Sequence, residues 1–382
     1  MEISVETKMR NKRVQRIAIV GAGVAGLTLA IIASKKGYEV SIFERGAKVA
    51  SMGAGVTLWS NAMFVLEQMG LAKTIKKLGA EPKVMYQFDQ GGKQQGELNI
   101  EAVNAISGYS SVTILRRDLM ATLANALEAL GINIHFNTVI EAEDIKTLAQ
   151  DFDLVVGADG RMNSVVRKSL FEEIKPSYQG FINIIGISPF KSEDQAQIIQ
   201  DYRGLGERFG IVPVKTGLCY WAAGWATPLD KERPLSSWYE EMHQRFLHWP
   251  KAVQDVLSGY EEIALNRIFV HDLEPLPYWH HGKTLIIGDA AHAPLPTSGQ
   301  GACQAIEDAW HLVRLLEENT NLENALTCFY QSRSMKTSAA QKVGRQLAQS
   351  IFSTGAEIVP ITSQVSAKQL SEFWMQGLKL NG

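Results

Sequence analysis

Residues 17–44 constrain the fold more than any other stretch of the sequence. Residues 17–20, IAIV, predict a buried strand, and the following GAGVAG places three glycines in G-x-G-x-x-G spacing before a helix predicted to end near residue 37. The next apolar run, EVSIFE, predicts a second strand that ends at Glu44. Strand, glycine turn, helix and strand in this order predict the βαβ unit of a Rossmann-like α/β fold.

The glycines and the terminal acid of this unit are the residue types that dinucleotide binding requires. Gly21 permits the tight turn, Gly23 lets backbone N–H groups approach a pyrophosphate, and Gly26 lets helix and strand pack closely. The helix N-terminus adds positive partial charge, and Glu44 is placed to accept hydrogen bonds from ribose hydroxyls. A purely structural βαβ turn is the alternative that the motif alone leaves open. The cofactor-binding residues predicted here are Gly21, Gly23, Val24, Ala25, Gly26, Glu44 and Arg45.

Composition and charge exclude several classes of protein. The 382 residues, 46% hydrophobic and 20% charged, can form one large domain or two with a sizeable core. A net charge of −2 gives no electrostatic footprint for nucleic acid. Cys219, Cys303 and Cys328 form no CxxC pair and no histidine-linked spacing, so we expect no metal site, no disulfide framework and a cytoplasmic location. The uncharged residues 17–34 imitate a membrane span, but their glycines favour the βαβ unit, so no integral membrane segment is expected.

The rest of the chain changes character twice. Residues 61–69 predict a helix, and residues 80–110 are polar and predicted to be irregular. Residues 178–228 and 263–270 are strand-like and aromatic, whereas helices return at residues 301–318 and fill most of the C-terminus. Alternating β and α segments with a β-rich insertion predict a dinucleotide domain assembled from separated segments around a second sheet.

A second glycine-rich segment, LIIGDAAHAPLPTSGQG, lies late in the chain at residues 285–301. Its apolar start predicts a strand that delivers Gly288 and Asp289 to a loop, and the GQG at its end opens an alanine-rich helix. Asp289 is placed to hold a ribityl or ribose hydroxyl, and the helix start is placed to direct N–H groups at an electron-rich ring edge. A loop that only turns a corner is the alternative.

Three motifs, GAGVAG at 21–26, GADG at 157–160 and GDAAHAPLPTSGQG at 288–301, resemble the signatures of the flavin-dependent group A aromatic hydroxylases. The resemblance covers nearly the whole chain. It implies the p-hydroxybenzoate-hydroxylase type of α/β fold, which has a Rossmann-like FAD-binding domain, an inserted β-sheet substrate domain and C-terminal helices. The implied FAD-binding domain comprises residues 14–80, 105–177 and 271–350, the substrate-binding domain residues 81–104 and 178–270, and the C-terminal helical segment residues 351–382.

The same resemblance implies an enzyme that holds FAD and uses NADH or NADPH as a transient co-substrate. One oxygen atom of O₂ would be inserted, through a C4a-hydroperoxyflavin, into an aromatic or heteroaromatic small molecule. A monomer or homodimer is expected. The alternatives are a flavin-dependent oxidoreductase of the prenyl-chain reductase type and a non-catalytic flavin- or small-molecule-binding protein. The WxWxIP signature of flavin halogenases is absent from CYWAAGWATP.

The resemblance also implies roles for individual residues. Glu44 would bind the adenosine ribose, Arg116 the phosphate region of FAD and Asp289 the ribityl chain. Asp159 would form a turn that serves FAD and the nicotinamide, and Pro296 would lie over the flavin. The residues implied to lie near the pyrimidine edge of the flavin are Gly299, Gly301 and Ala302.

Three neighbouring residues complete the predicted cofactor region. His292 is predicted to support the loop around it rather than to take part in catalysis. Arg161 and Arg167 are either phosphate contacts or solvated charges, and the sequence leaves both interpretations open.

A predicted β-hairpin supplies the substrate side of the site. A three-residue loop at 215–217 would pair Val212 with Tyr220 and Val214 with Leu218. One face of the hairpin would then be lined by small residues that leave room for a ligand, and the other face would build core. The predicted core residues are Phe209, Ile211, Trp221 and Trp225.

The catalytic candidates are Arg208, Tyr220 and Pro296. Arg208 shares the open face with Tyr220 and would hold an anionic or enolic substrate, which Tyr220 would hydrogen-bond. Within the family, the spacing of Arg208 and Tyr220 is most similar to the urate-hydroxylase type. An arginine at this position is also found in the alkylquinolone-hydroxylase type, so it discriminates weakly between the two.

Overall fold

The computed structural model describes residues 14–50, 53–190, 196–215, 217–260, 265–353 and 365–378. Within these residues the chain forms two large sheets, a two-stranded sheet, thirteen α-helices and one 3₁₀-helix, Pro296–Ser298. The strands are β1 Arg16–Val20, β2 Glu39–Phe43, β3 Gly55–Leu58, β4 Val84–Asp89, β5 Gln94–Asn99, β6 Val112–Leu115, β7 Ile134–His135, β8 Leu154–Gly157, β9 Ser177–Pro189, β10 Ile198–Gly204, β11 Glu207–Lys215, β12 Leu218–Ala226, β13 Asn266–Asp272, β14 His280–His281 and β15 Thr284–Ile286. The helices are α1 Val24–Lys35, α2 Ser60–Gln68, α3 Ala72–Leu78, α4 Ile100–Ser107, α5 Arg116–Glu128, α6 Asp144–Asp151, α7 Val165–Leu170, α8 Leu235–Phe246, α9 Lys251–Leu257, α10 Asp289–His292, α11 Gly301–Glu318, α12 Leu322–Phe352 and α13 Ala367–Met375.

The first sheet is built around the predicted βαβ unit, which the structure confirms. Its strand order is β14-β15-β8-β1-β2-β7, and β1 pairs in parallel with β2 and with β8. Ten consecutive residues at the start of α1 are buried, because the helix lies between the sheet and α11. A Cβ on Gly26 would lie 2.0 Å from the carbonyl oxygen of Gly21, so this close packing of helix and turn requires glycine.

The second sheet has seven strands in the order β13-β9-β12-β11-β10-β4-β5. The aromatic stretches predicted to be strands form β9 to β13, as expected. The prediction that residues 80–110 are irregular was wrong, because they contain β4, β5 and α4. These polar strands lie at one edge of the sheet, and β4 pairs in parallel with β10, more than 100 residues away, so no local pattern announces them. The domain boundaries drawn from the sequence stay a prediction.

One face of the second sheet carries an aromatic core. Trp221, Trp225, Phe209 and Ile211 are fully buried there against α8 and α9, which confirms their prediction as core residues. Because side chains alternate along a strand, the residues between them face the other side of the sheet, toward β6 and α12.

The hairpin register agrees with the prediction where the site lies and differs at its tip. Val212 pairs with Tyr220 as predicted, but Lys215 rather than Val214 lies opposite Leu218, because the register shifts before the loop. Gly217 adopts the expected left-handed conformation, with φ 82°. Thr216 lies outside the described residues.

In the part of the chain that the structure describes, none of the helices is both long and apolar enough to cross a membrane.

A network of charged groups is buried between α11 and α12. Arg333 donates from Nε to Asp308 Oδ1 over 2.8 Å and from Nη1 to Glu307 Oε2 over 2.7 Å. Lys336 Nζ donates to the same Glu307 oxygen over 2.8 Å. All four side chains are buried. A buried charge is strongly destabilising once its partner is removed. The four groups therefore stabilise the packing of α11 on α12 only while all of them are present.

Asp308 also connects this network to the segment that follows β15. Its second oxygen, Oδ2, accepts a hydrogen bond from the backbone N–H of Gly288 over 2.8 Å and lies 2.5 Å from His292 Nε2. Burial alone would raise the pKa of Asp308, but His292 and Arg333 lower it to about 2. The carboxylate is therefore ionised at neutral pH although no water reaches it.

We expect Asp308→Asn to lower the free energy of unfolding by about 3 to 5 kcal/mol at pH 7, because it removes one of the two buried carboxylates that compensate the charges of Arg333 and Lys336. The folded-state pKa of Asp308 lies below its unfolded value of about 3.9, so its contribution is present above pH 4 and is lost as the pH falls toward 2. Denaturant unfolding of both proteins between pH 7 and pH 2.5 should therefore show the difference shrinking with acid. A difference that is the same at both ends of this range contradicts the prediction.

The control is Asp255→Asn, which breaks the exposed ion pair with Lys251. This change should cost less than about 1 kcal/mol, because exposed pairs contribute little.

Candidate active site

The turn between β1 and α1 is open where the sequence predicts a pyrophosphate. Gly23 precedes α1 without a side chain to cap it, and within 4 Å a Cβ placed there would meet a single described atom, the Ala158 carbonyl oxygen at 3.9 Å. Gly21 has φ 105°, a conformation that favours glycine. The first N–H groups of α1 and its positive dipole end therefore face a space that an anion can enter.

Glu44 lies at the end of β2, beside this turn. Its Oε2 accepts a hydrogen bond from the backbone N–H of Ala22 over 2.9 Å, and its Oε1 accepts one from Gly46 over 2.7 Å. These bonds hold the carboxylate at the carboxyl edge of the sheet, and each oxygen keeps a lone pair that can accept from a ribose hydroxyl. The neighbouring Arg45 is exposed.

Arg116 supplies positive charge on the other side of the same edge. Burial lowers the pKa of Arg116, and the nearby Asp289 opposes that shift. The guanidinium donates no hydrogen bond to any residue that the structure describes. Gly53 makes room for it, since a Cβ there would lie 3.0 Å from Arg116 Cδ. A half-buried arginine in this state fits a phosphate group.

The GADG turn is held by hydrogen bonds within the protein. Asp159 Oδ1 accepts from Ser164 Oγ over 2.6 Å, and Oδ2 accepts from the backbone N–H of Val165 over 2.6 Å. Because these bonds fix the start of α7, Asp159 positions the turn. Burial raises the pKa of Asp159, and the same hydrogen bonds oppose that rise.

Arg167 is neither the phosphate contact nor the solvated charge that the sequence allowed. Its side chain is buried and donates to the carbonyl oxygens of Ala290 over 3.0 Å and of Arg161 over 2.6 Å. Arg161 in turn donates to the carbonyl oxygen of His271 over 2.6 Å and lies 3.4 Å from Asp289 Oδ2. The two arginines thus tie the GADG turn to the second glycine-rich segment.

The second glycine-rich segment runs from β15 to α11. Gly288, with φ 57°, delivers the part-exposed Asp289 to the start of α10. His292 is buried against Asp308, which confirms its supporting role. Beyond it, Pro296 and Gly299 are exposed, and α11 begins at Gly301, followed by the half-buried Ala302.

These features fit a dinucleotide cofactor. One edge of the first sheet is surrounded by an open helix N-terminus, an arginine with no hydrogen-bond partner among the described residues, an anchored acid and a part-exposed aspartate. The N-terminus of α1 and Arg116 suit the phosphates of such a cofactor, and the carboxylates of Glu44 and Asp289 suit its ribose and ribityl hydroxyls. The assignments of the individual residues to FAD are proposals.

A charge cluster occupies the substrate side, on the face of the second sheet opposite its aromatic core. Arg208 Nε donates to Asp201 Oδ1 over 2.5 Å, and Arg203 bonds the other oxygen, Oδ2, over 2.8 Å. Burial alone would raise the pKa of Asp201, but Arg208 and Arg203 hold it below its usual value. One carboxylate and two guanidinium groups leave this cluster with one net positive charge.

Arg208 retains free donors beside an open space. Its terminal nitrogens Nη1 and Nη2 bond no residue that the structure describes, and its side chain is 27% exposed. Gly210 lies two residues along the same face, and a Cβ built there would meet no described atom within 4 Å. The arrangement can hold an anion at this face.

Tyr220 connects the same face of the second sheet to β3. Its hydroxyl lies 3.0 Å from Thr57 Oγ1, and its ring packs on Gly55, where a Cβ would lie 2.0 Å from the ring. Burial raises the pKa of Tyr220 to about 12, although the bond to Thr57 opposes the rise. The phenol therefore stays neutral and can donate a hydrogen bond at neutral pH.

Sequence reasoning missed three members of this site: Asp201, Arg203 and Thr57. Asp201 and Arg203 alternate along β10, so both face the same side of the sheet. Two charged residues at alternate positions of a buried strand could have indicated this cluster in the sequence. No sequence pattern indicates Thr57, since its contact with Tyr220 joins residues 163 positions apart.

Comparisons with known proteins agree with this geometry. The model of a family described as FAD binding domain matches residues 14–326. The chain is 30% identical over 319 residues to aurachin C monooxygenase/isomerase of Stigmatella aurantiaca, spanning 81% of this chain and 82% of that protein. It is 28% identical over 361 residues to 6-hydroxynicotinate 3-monooxygenase of Bordetella bronchiseptica, spanning 86% and 90% of the two chains.

Similarity in structure extends further. HpxO of Klebsiella pneumoniae, solved in complex with FAD and uric acid, matches with a TM-score of 0.79 and 20% identity over 95% of this chain and 92% of that chain. The oxygenase of 2-methyl-3-hydroxypyridine-5-carboxylic acid matches with a TM-score of 0.72 and 23% identity over 94% and 96%. The predicted fold class is thereby confirmed.

We expect Asp289→Ala to weaken FAD binding about 10- to 100-fold, because it removes a charge-assisted hydrogen bond to the cofactor. The fold should be kept, since the Asp289 side chain is part-exposed and not part of a core. Titration of the apoprotein with FAD, followed by flavin fluorescence, measures the change. Asp151→Ala, which removes an exposed acid in α6, is the matched control and should bind FAD normally. Wild-type affinity in the Asp289 variant contradicts the role given to this segment.

Proposed function

The chain belongs to the FAD binding domain family, and on that basis we propose that it uses NAD(P)H and O₂ to hydroxylate an acidic aromatic or heteroaromatic small molecule. It is a FAD-dependent monooxygenase of the aromatic hydroxylase type. In the proposed reaction one oxygen atom of O₂ enters the ring, the other leaves as water, and NAD(P)H supplies the two electrons. The cytoplasmic location and a monomeric or homodimeric state belong to the same proposal.

Bound FAD supplies the redox chemistry, because it accepts electrons from NAD(P)H and activates O₂ for transfer to a ring carbon. The protein's part is to hold the cofactor, orient the substrate and exclude water. The residues proposed to hold FAD are Gly21, Gly23, Val24, Ala25, Gly26, Glu44, Arg45, Arg116, Asp159, Asp289, Pro296, Gly299, Gly301 and Ala302.

The charge cluster of Asp201, Arg203 and Arg208 carries the proposal of an acidic substrate. Its net positive charge and the free terminal nitrogens of Arg208 favour an anionic or enolic ring over a neutral one. Two similar proteins are named for acidic heterocycles, a 6-hydroxynicotinate 3-monooxygenase and a FAD-dependent urate hydroxylase, which supports this class of substrate.

Tyr220 and Arg208 would work on the same ring. Tyr220 stays protonated at neutral pH, so it donates a hydrogen bond to a ring oxygen or nitrogen while Thr57 holds its hydroxyl in place. An already ionised ring is electron-rich, and its attack on an electrophilic oxygen needs no separate protein base. We infer that Tyr220 and Arg208 orient the substrate and that neither transfers a proton.

Two other functions are compatible with a flavin site. A reductase of the prenyl-chain type would release product without new oxygen, and a binding protein would not turn over NAD(P)H in response to a ligand. The three functions are separated by a screen of acidic ring compounds, including urate and 6-hydroxynicotinate. The screen measures stimulated NAD(P)H oxidation and determines the product masses by mass spectrometry. A gain of 16 mass units, about that of one oxygen atom, identifies hydroxylation.

We expect Arg208→Gln to lower kcat/KM about 10- to 100-fold for the substrate found in that screen, because a charge-assisted hydrogen bond is lost. FAD content should be normal. Flavin reduction should continue, but hydrogen peroxide should replace part of the hydroxylated product, since a misplaced ring cannot intercept the activated oxygen. Peroxide release per NAD(P)H oxidised is the measurement.

Arg245→Gln is the matched control. Arg245 pairs with Glu207, which directly precedes Arg208 in β11, so the control also removes an arginine that pairs with an acid in this part of the protein. Coupling should be unchanged in this control. Unchanged coupling and affinity in Arg208→Gln would return Arg208 to a structural role.

A further inference from the structure

Residues 366–378, called the C-terminal segment, lie in the last described part of the chain and pack on α2 and α4. It begins with a capping box, in which Ser366 and Gln369 satisfy each other's backbone N–H groups, and continues as α13. Trp374 and Leu378 are buried, and α13 packs on α4 and α2. None of the functions assigned so far uses this segment.

A buried lysine holds the end of α13. Lys336 Nζ donates to the carbonyl oxygens of Trp374 over 2.5 Å and of Gln376 over 3.2 Å, as well as to Glu307 Oε2. An ammonium group at the C-terminus of a helix satisfies carbonyl oxygens that have no partner within the helix and complements the helix dipole. The side chain is 3% exposed, so water cannot replace these bonds. Lys336 therefore joins the C-terminal segment to the buried charge network.

Trp374 extends this connection to the second glycine-rich segment. Its ring lies 4.6 Å from the ring of Trp59, centroid to centroid, and Trp59 Nε1 donates to the carbonyl oxygen of Gly299 over 3.0 Å. Gly299 has φ 63° and lies two residues before the start of α11 at Gly301. A continuous path of contacts thus runs from Lys336 through Trp374 and Trp59 to Gly299.

We propose that the C-terminal segment is part of the cofactor site: Lys336 and Trp374 are positioning residues that hold the Trp59 indole against the Gly299 carbonyl and so fix the loop at residues 296–302. This proposal rests on the assignment of that loop to FAD. Without Trp374, the Trp59 ring loses the surface on which it packs, and its N–H is no longer directed at one carbonyl oxygen. Without Lys336, the end of α13 leaves two carbonyl oxygens unsatisfied beside a buried carboxylate.

A purely structural role makes a different prediction. If the C-terminal segment only covered apolar surface on α2 and α4, its release would lower stability but leave the affinity for FAD unchanged. Cofactor release and segment docking therefore have to be measured separately and on the same variants.

The main variant is Lys336→Met, which keeps the length of the side chain and removes its hydrogen bonds. Trypsin cleavage after Lys368 reports undocking, because Lys368 is exposed within α13 and a helix must open before it is cut. Release of FAD from the holoprotein, followed by flavin fluorescence, reports the loop. We expect both the cleavage rate and the FAD dissociation rate to rise about tenfold or more. Lys342→Met, at an exposed position of the same helix, should change neither rate.

A second pair of variants tests the path through the indole rings. Trp374→Leu should accelerate FAD release and change the flavin absorption spectrum, whereas Trp374→Phe, which retains an aromatic face, should restore most of both. In Lys336→Met, faster cleavage after Lys368 without faster FAD release overturns the proposal, and so does faster FAD release while the C-terminal segment stays docked. Normal values in both assays for Lys336→Met overturn it as well. If the second glycine-rich segment, residues 285–301, does not bind FAD, the result would appear instead as normal FAD affinity in Asp289→Ala.

Discussion

The hydrogen bond from the Gly288 backbone to Asp308 is the contact on which the rest of the site depends. It joins the end of β15 to α11 and directs the following Asp289 to the surface. Asp308 can accept this bond as a buried anion because Arg333 compensates its charge and His292 hydrogen-bonds the same oxygen. A glycine at position 288 allows the turn, but the ionised carboxylate behind it decides where the turn lies.

The second sheet meets the two-stranded sheet of β3 and β6 through contacts that also build the substrate side of the site. Tyr220 packs on Gly55 and bonds Thr57, and Thr113 donates to the carbonyl oxygen of Pro213. A substrate held by Arg208 therefore rests on a sheet that polar groups fix against β3 and β6, and Arg116, proposed to hold FAD, directly follows β6. Since hydroxylation requires a ring and an activated oxygen to meet within contact distance, rigid docking of the two sheets is a condition for coupling.

Local pattern was informative where local physics decides the outcome. The βαβ unit, the helix at 301–318 and the aromatic core of the second sheet follow from apolar periodicity and glycine chemistry, and all were predicted. Strands β4 and β5 were missed because their partner is distant in sequence and their composition is polar. Arg167 was misread for a related reason, since its partners are two carbonyl oxygens that no motif specifies.

The sequence by itself determined the type of fold, the class of cofactor and the face of the hairpin that carries Arg208 and Tyr220. Glycine spacing and strand alternation involve residues that are close together in the chain, so the sequence alone shows them. Only the tertiary structure decided that Arg208 and Arg203 share the Asp201 carboxylate and form one charge cluster. It also decided that Lys336 and Trp374 connect the C-terminal segment, through Trp59, to Gly299. Buried charges and carbonyl oxygens must be satisfied by whichever groups the packed chain brings near them, and that neighbourhood exists only after folding.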